Sequence, residues 1–180
     1  MLPRETIAAF DLYLHEQGLM LEAVVVGGAA LALLGITDRQ TRDVDVLHPD
    51  LPESIARAAV EFARQRRAAE KPLGDDWLNN GPSQLGDVLP EGWLDRVRVV
   101  FAGAALTLSA LGRDDLLKTK LFALCDRGTD LRDCIAVAPS PDELARAETW
   151  LALQDTNPGW PDHVRKTLDD LRRRVGDGVS

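Results

Sequence analysis

Two aspartates one residue apart, Asp43 and Asp45, are the first feature of this sequence with chemical consequences. The segment Asp43–Leu47 reads DVDVL, and alternation of acid and aliphatic predicts a strand with Val44 and Val46 on its buried face. Both carboxylates then point the same way. Like charges so placed repel, and burying them without a partner is costly. A divalent cation resolves that repulsion, and Mg²⁺ prefers one or two carboxylates together with substrate phosphates. Separated from Asp43 by fourteen intervening residues, Gly27-Gly28 ends the run LEAVVV (Leu21–Val26) and precedes the helix-forming stretch AALALLG. Two glycines let the backbone approach a bulky ligand, and the start of a helix offers unpaired N–H groups, so the junction suits phosphate. Each feature also has a plainer reading: a tight turn for the glycines, a solvent-facing strand for the acids.

The elements that must position these residues follow from hydrophobic periodicity. Residues 4–17 predict an amphipathic helix stopped by Gly18, with Ile7, Phe10 and Leu14 inward. Leu21–Val26 is a short β-branched strand. After the helix ended by Gly35 comes a polar loop, Ile36–Arg42, and then the Asp43–Leu47 strand. Residues 51–69 predict a second long amphipathic helix. Lys71–Gly92, rich in Gly, Pro, Asn and Asp, reads mostly as loop, with one turn around Trp77-Leu78. Arg96–Phe101 and Ala105–Ser109 read as strands joined by a turn at Gly103. Four helices follow, at Asp114–Arg127, Leu131–Val137, Pro141–Leu153 and Pro161–Val175, punctuated by Pro139, Pro141, Pro158 and Pro161. This order predicts an α/β (α+β) fold, a mixed sheet flanked by helices in residues 1–111 and a helical C-terminal part in 112–180.

Composition narrows the function classes. Of 180 residues 45% are hydrophobic, enough for a sizeable core, and the formal net charge is −8. Broad binding to nucleic acid needs clustered cations and is not expected. The clusters Arg64, Arg66, Arg67 and Arg172, Arg173, Arg174 fall on helices and read as solvated faces. The apolar run Leu19–Ile36 is broken by Glu22 and three glycines, a poor membrane span, and Met1–Glu5 lacks the basic start of a signal peptide. A cytoplasmic protein without membrane contact is expected. Cys125 and Cys134 match neither a zinc site nor a redox pair and are expected as reduced thiols. His15, His48 and His163 have no ligand spacing, although His48 lies close to Asp45. Trp77, Trp93, Trp150 and Trp160 are expected to pack in the core or at its rim.

Gly27, Gly28 and Ala30, then Arg39, Thr41, Asp43 and Asp45, spell G-G-x-A followed by R-x-T-x-D-x-D. This resembles the hallmark of DNA polymerase β-like nucleotidyltransferases, and looks like the group of AbiEii-type abortive-infection toxins and DUF6036 proteins. A second stretch, Leu116–Ile135, is similar to the AbiEii-type segment in which a lysine helix precedes an arginine and a D-x-x-D pair. Its matching residues are Lys120, Ala123, Arg127, Asp130 and Asp133. The resemblance implies a metal-dependent nucleotidyltransferase with an NTP as substrate. Asp43 and Asp45 would hold Mg²⁺ or Mn²⁺, and Gly27, Gly28, Arg39 and Thr41 would bind the nucleotide. Lys120 would neutralise the leaving pyrophosphate, and Lys120 and Arg127, oriented by Asp130 and Asp133, would meet the triphosphate. An RNA or protein acceptor and a cognate toxin or antitoxin partner are implied in the same way. The superfamily usually adds a third carboxylate on a later strand. RVRVVF and ALTLS contain none, and the nearest acids are Asp87 and Asp95, in or beside loops. That departure sustains an alternative, a degenerate transferase fold acting as an antitoxin or regulatory binding module.

Overall fold

Apolar, β-branched segments build the middle of a five-stranded mixed sheet in the computed structural model, which describes residues 3–38, 41–68 and 73–177. At its centre is β1 (Leu21–Val26), buried everywhere except at Glu22. It pairs antiparallel with β2 (Val44–His48) and parallel with β5 (Leu106–Ala110). Beyond β2 lies β3 (Leu78–Asn79), parallel to it, and beyond β5 lies β4 (Arg98–Ala102), antiparallel to it. The order is therefore β3-β2-β1-β5-β4. The sheet belongs to the first of two units, Met1–Gly112 and Arg113–Ser180.

One face of this sheet carries the core. Helix α1 (Pro3–Glu16) contributes Ile7, Phe10 and Leu14, and α3 (Glu53–Ala68) contributes Ile55, Ala59 and Phe62. They pack with Ala23 and Val25 of β1, Val44 and Val46 of β2, and Leu106 and Leu108 of β5. Short α2 (Gly27–Leu33) follows β1 directly and buries Ala29 and Ala30 in the same cluster. Phe10, Phe62 and Trp77 meet at centroid distances of 5.0 to 5.7 Å, and Trp77 Nε1 donates to the Ala59 carbonyl at 3.0 Å. Such an aromatic group both buries area and fixes ring geometry.

The mixed sheet flanked by helices is the architecture predicted, with differences at element ends and in one segment. Arg96 belongs to a 3₁₀ turn, Trp93–Arg96, and β4 starts only at Arg98. The region read as mostly loop contains β3 and the one-turn helix α4 (Leu85–Val88) among its described residues; Lys71 and Pro72 lie outside them. Asparagine conceals this order in the sequence. Asn80 Nδ2 donates to the carbonyls of Val46 at 3.1 Å and Pro49 at 3.2 Å, and its Oδ1 accepts the Leu51 N–H at 2.6 Å. Side-chain amides here do the work of a strand's main chain, so a polar composition coexists with fixed structure.

The turn between β4 and β5 is held by a buried carboxylate. Asp11 of α1 accepts the N–H groups of Ala104 at 3.1 Å, Ala105 at 2.8 Å and Leu106 at 2.8 Å. Burial pushes its pKa upward, but these three backbone donors outweigh that and leave it below the ordinary 3.8. Gly103 permits the approach, because a Cβ there would collide with the Asp11 carboxylate.

The second unit consists of α5 (Arg113–Arg127), α6 (Leu131–Val137), α7 (Pro141–Leu151) and α8 (Trp160–Asp177). A capping box of Ser140 and Glu143, with Pro141 at the first position, starts α7. Glu143 also accepts Arg113 Nε at 2.6 Å and Nη2 at 3.2 Å, while the same Nη2 reaches the Val137 and Ala138 carbonyls. The Arg113 bond, with the Ser140 N–H, holds the Glu143 carboxyl down at about 2. Cys125 and Cys134 are free and buried, and burial lifts their thiols to about 11 and about 12. No helix among the described residues is long and apolar enough to cross a membrane.

Two measurements check these anchors. Asp11→Asn puts an amide where three donors need acceptors, and loses about 2–3 kcal/mol of stability in urea unfolding. For Glu143 the folded pKa lies below its ordinary 4.5, so its stabilisation is complete above pH 4.5 and fades as pH falls toward 2. Glu143→Gln therefore flattens the acid limb of the stability–pH profile in that window.

Candidate active site

The strand alternation that builds the core also sets the first acids opposite it. Val44 and Val46 enter the core, while Asp45 between them faces away and is half-buried. Asp43, just ahead of β2, is exposed, so the acid-aliphatic alternation puts both carboxylates on the side away from the core. Asp45 pairs in register with Val26, the last residue of β1, and this brings its side chain to the β1–α2 junction. Gly27 there has φ +71°, a left-handed backbone that favours glycine, and a Cβ at that position would run into Asp45 Oδ2. Carboxylate and bare backbone thus occupy one small space. Asn79 of β3, which pairs with Asp45, donates from Nδ2 to Asp45 Oδ1 at 3.2 Å, and its own Oδ1 accepts the Gly81 N–H at 2.7 Å. Thr41 Oγ1 donates to Asp43 Oδ1 at 2.8 Å and lies 3.2 Å from the Asp43 carbonyl.

The structure accordingly brings Gly27 and Asp45 together and couples Thr41 to Asp43; Arg39 lies outside the described residues. Among the described residues no group of three or more His, Cys, Asp or Glu is placed to hold a metal ion. At the junction itself the structure shows one carboxylate, that of Asp45, beside the Gly27 backbone. Asp87, on α4, lines a cavity of about 380 Å³ with His48, Asp50, Ser83, Gln84 and Trp93. Asp95 lies exposed in the 3₁₀ turn. Neither sits on a strand. On β5 the residues in register with Glu22 and Val24 of β1 are Thr107 and Ser109, hydroxyls where an acid was sought. Asn79 escaped the sequence reading because its segment looks like loop, and only its pairing with Asp45 marks it.

In the second unit, Lys120 is buried, with its side chain 6% exposed, and its Nζ lies 2.7 Å from Asp133 Oδ2 and 3.2 Å from Asp130 Oδ2. Asp130 reaches the lysine from a left-handed backbone, φ +67°, which Asp tolerates better than most residues. The D-x-x-D pair thus closes on Lys120 and ties α6 to α5. Arg127, at the end of α5, stands apart from this triad: its side chain is 66% exposed, with Asp126 at 3.8 Å.

A family model described as "Nucleotidyltransferase of unknown function (DUF6036)" matches residues 6–138. The chain belongs to the DUF6036 family. No curated protein and no solved structure gives a significant match. The DUF6036 span takes in the whole sheet, the Gly27–Asp45 junction and the Lys120–Asp130–Asp133 triad, and it ends with α6, short of α7 and α8.

Removing one member of a buried ion group strands the others, which costs more than the group contributes intact. Lys120→Met in this DUF6036 protein is expected to lose about 3 kcal/mol or more, because Asp133 stays buried without its cation. Adding Asp133→Asn to that variant recovers part of the loss, and a thermal melt of the full chain measures both.

Proposed function

We propose that this DUF6036 protein transfers a nucleotide from an NTP to a hydroxyl of an RNA or protein acceptor, with Mg²⁺ or Mn²⁺ held by Asp43 and Asp45. The observation that carries the reading is the contact between the Asp45 carboxylate and the Cβ-less backbone of Gly27. It sets an anionic ligand and an accessible main chain side by side, as a metal–triphosphate complex requires. Asp43 and Asp45 would hold the cation, which would offset charge on the reacting phosphoryl group.

The protein's own groups would position the reactants. Thr41 and Asn79 orient the two carboxylates, Asn79 by its bond to Asp45 Oδ1 and Thr41 by its bond to Asp43 Oδ1. The motif resemblance would have Gly27 and Gly28 admit the phosphates. Within the second unit, Lys120 stays buried between Asp130 and Asp133 and ties α6 to α5. Rate enhancement would then come from orientation and electrostatics, since phosphoryl chemistry asks little else of a protein. The motifs it resembles suit a role within a toxin–antitoxin or phage-defence pair in the cytoplasm.

A second reading draws on Thr107 and Ser109, which stand on β5 where the superfamily would carry an acid. It makes the chain a degenerate transferase fold that binds nucleotide or a partner without chemistry.

Isothermal titration with Mg²⁺ and each of the four NTPs tests the first reading. Changing Asp43 and Asp45 together to Asn should weaken binding of the preferred NTP at least about tenfold, 1.4 kcal/mol. Equal binding by both proteins rules the metal site out. Incubation with α-labelled NTP, total cell RNA and lysate protein then separates the readings, because a binding module leaves no labelled product.

A further inference from the structure

β2 carries an irregularity beside the carboxylates. Val46 pairs with Val25 and His48 with Val24, so Leu47 is an extra residue without a partner on β1. A bulge of this kind shifts the alternation of side chains by one and re-aims the residues after it. In a regular strand His48, three residues after Asp45, would face the core with Val46. Here its partner is Val24 and that of Asp45 is Val26, two residues apart on β1, so both side chains leave the same face. The two positions are separated by about 7 Å along the strand, the rise of two residues.

His48 is exposed and lines an open cavity of about 440 Å³ with Glu22, Val24, Val99, Thr107 and Ser109. Cross-strand pairing of Glu22 with Thr107 and of Val24 with Ser109 makes this cavity the continuation of the Asp45 face. The His48 ring meets Trp93 edge-on at 6.1 Å, which fixes one side of the imidazole. Among the described residues no lysine or arginine lines the cavity; β1 brings Glu22 into it, β5 brings the hydroxyls of Thr107 and Ser109, and His48 is its imidazole.

We infer that His48 is the proton acceptor for the hydroxyl that receives the nucleotide, and that the cavity beside it seats the group bearing that hydroxyl. The inference rests on the nucleotidyl-transfer reading. In the step, the acceptor O–H proton moves to a ring nitrogen of His48 while the oxygen bonds to the α-phosphorus. The bond from the α-phosphorus to the bridging oxygen breaks, and pyrophosphate leaves with that electron pair. The imidazolium afterwards returns its proton to water. Imidazole is the side chain most used for such transfers, and the separation from Asp45 leaves room for one hydroxyl between them.

The test uses the full chain with Mg²⁺, α-labelled NTPs, and total cell RNA and lysate protein as acceptors. His48→Ala should lower labelling about 100-fold, in the range general-base catalysis contributes. NTP affinity should stay within about twofold of wild type, since His48 has no part in binding the triphosphate. Imidazole added at tens of millimolar should restore labelling at least about tenfold, an effect that a merely structural histidine would not give. His48→Gln, which keeps polarity and bulk, should be as slow as His48→Ala. Labelling by both variants at the wild-type rate overturns the inference while leaving the transferase reading intact. So does slow labelling that imidazole fails to rescue. If wild type labels nothing, the transferase reading itself falls and takes the inference with it.

Discussion

The approach of the Asp45 carboxylate to the Gly27 main chain governs the rest of this site. It demands a left-handed residue without a side chain at the end of β1, and it demands that β2 run back alongside β1 in one register, Val26 opposite Asp45. Slip that register by one and Asp45 would turn into the core while Val46 turned out, at a cost no other contact here could offset. Core packing and chemistry are thus enforced together: Val44 and Val46 hold the strand that presents the acids, and Asn79 from the next strand holds Asp45.

Much of this was legible because the same residues carry both signals. DVDV announces a half-buried strand and a pair of carboxylates at once, and LEAVVV followed by two glycines announces a buried strand that must end abruptly. The helices of the second unit were legible from their prolines and periodicity, and Leu131–Val137 begins and ends where expected. Illegible features depend on distant partners. β3 exists because its two residues find β2, across a separation of 34 residues, and no local propensity encodes that pairing. The bulge at Leu47 is equally silent, since LHP reads as a strand end and only register reveals where His48 points.

Electrostatics divide the molecule differently from the fold. In the first unit Asp43 is exposed and accepts from Thr41, and Asp45 is half-buried and accepts from Asn79. In the second, Asp133 and Lys120 are buried and satisfy each other, while Glu143 and Arg113 lock the α5 and α7 starts with a bidentate bond. The DUF6036 match spans both arrangements, the Gly27–Asp45 junction of one unit and the Lys120 triad of the other.

The parallel pairing of β1 with β5 joins Leu21 to Leu106, and Asp11 reaches even farther along the chain, to Ala104, Ala105 and Leu106. During synthesis from the N-terminus, the central strand therefore waits for most of the first unit before its second neighbour exists. Until then LEAVVV presents an unpaired, almost wholly apolar edge, the kind of surface that recruits other chains. Assembly of this sheet is consequently slow to begin and vulnerable while incomplete, and the arrival of the last hairpin, fastened by Asp11, is the event that ends the exposure.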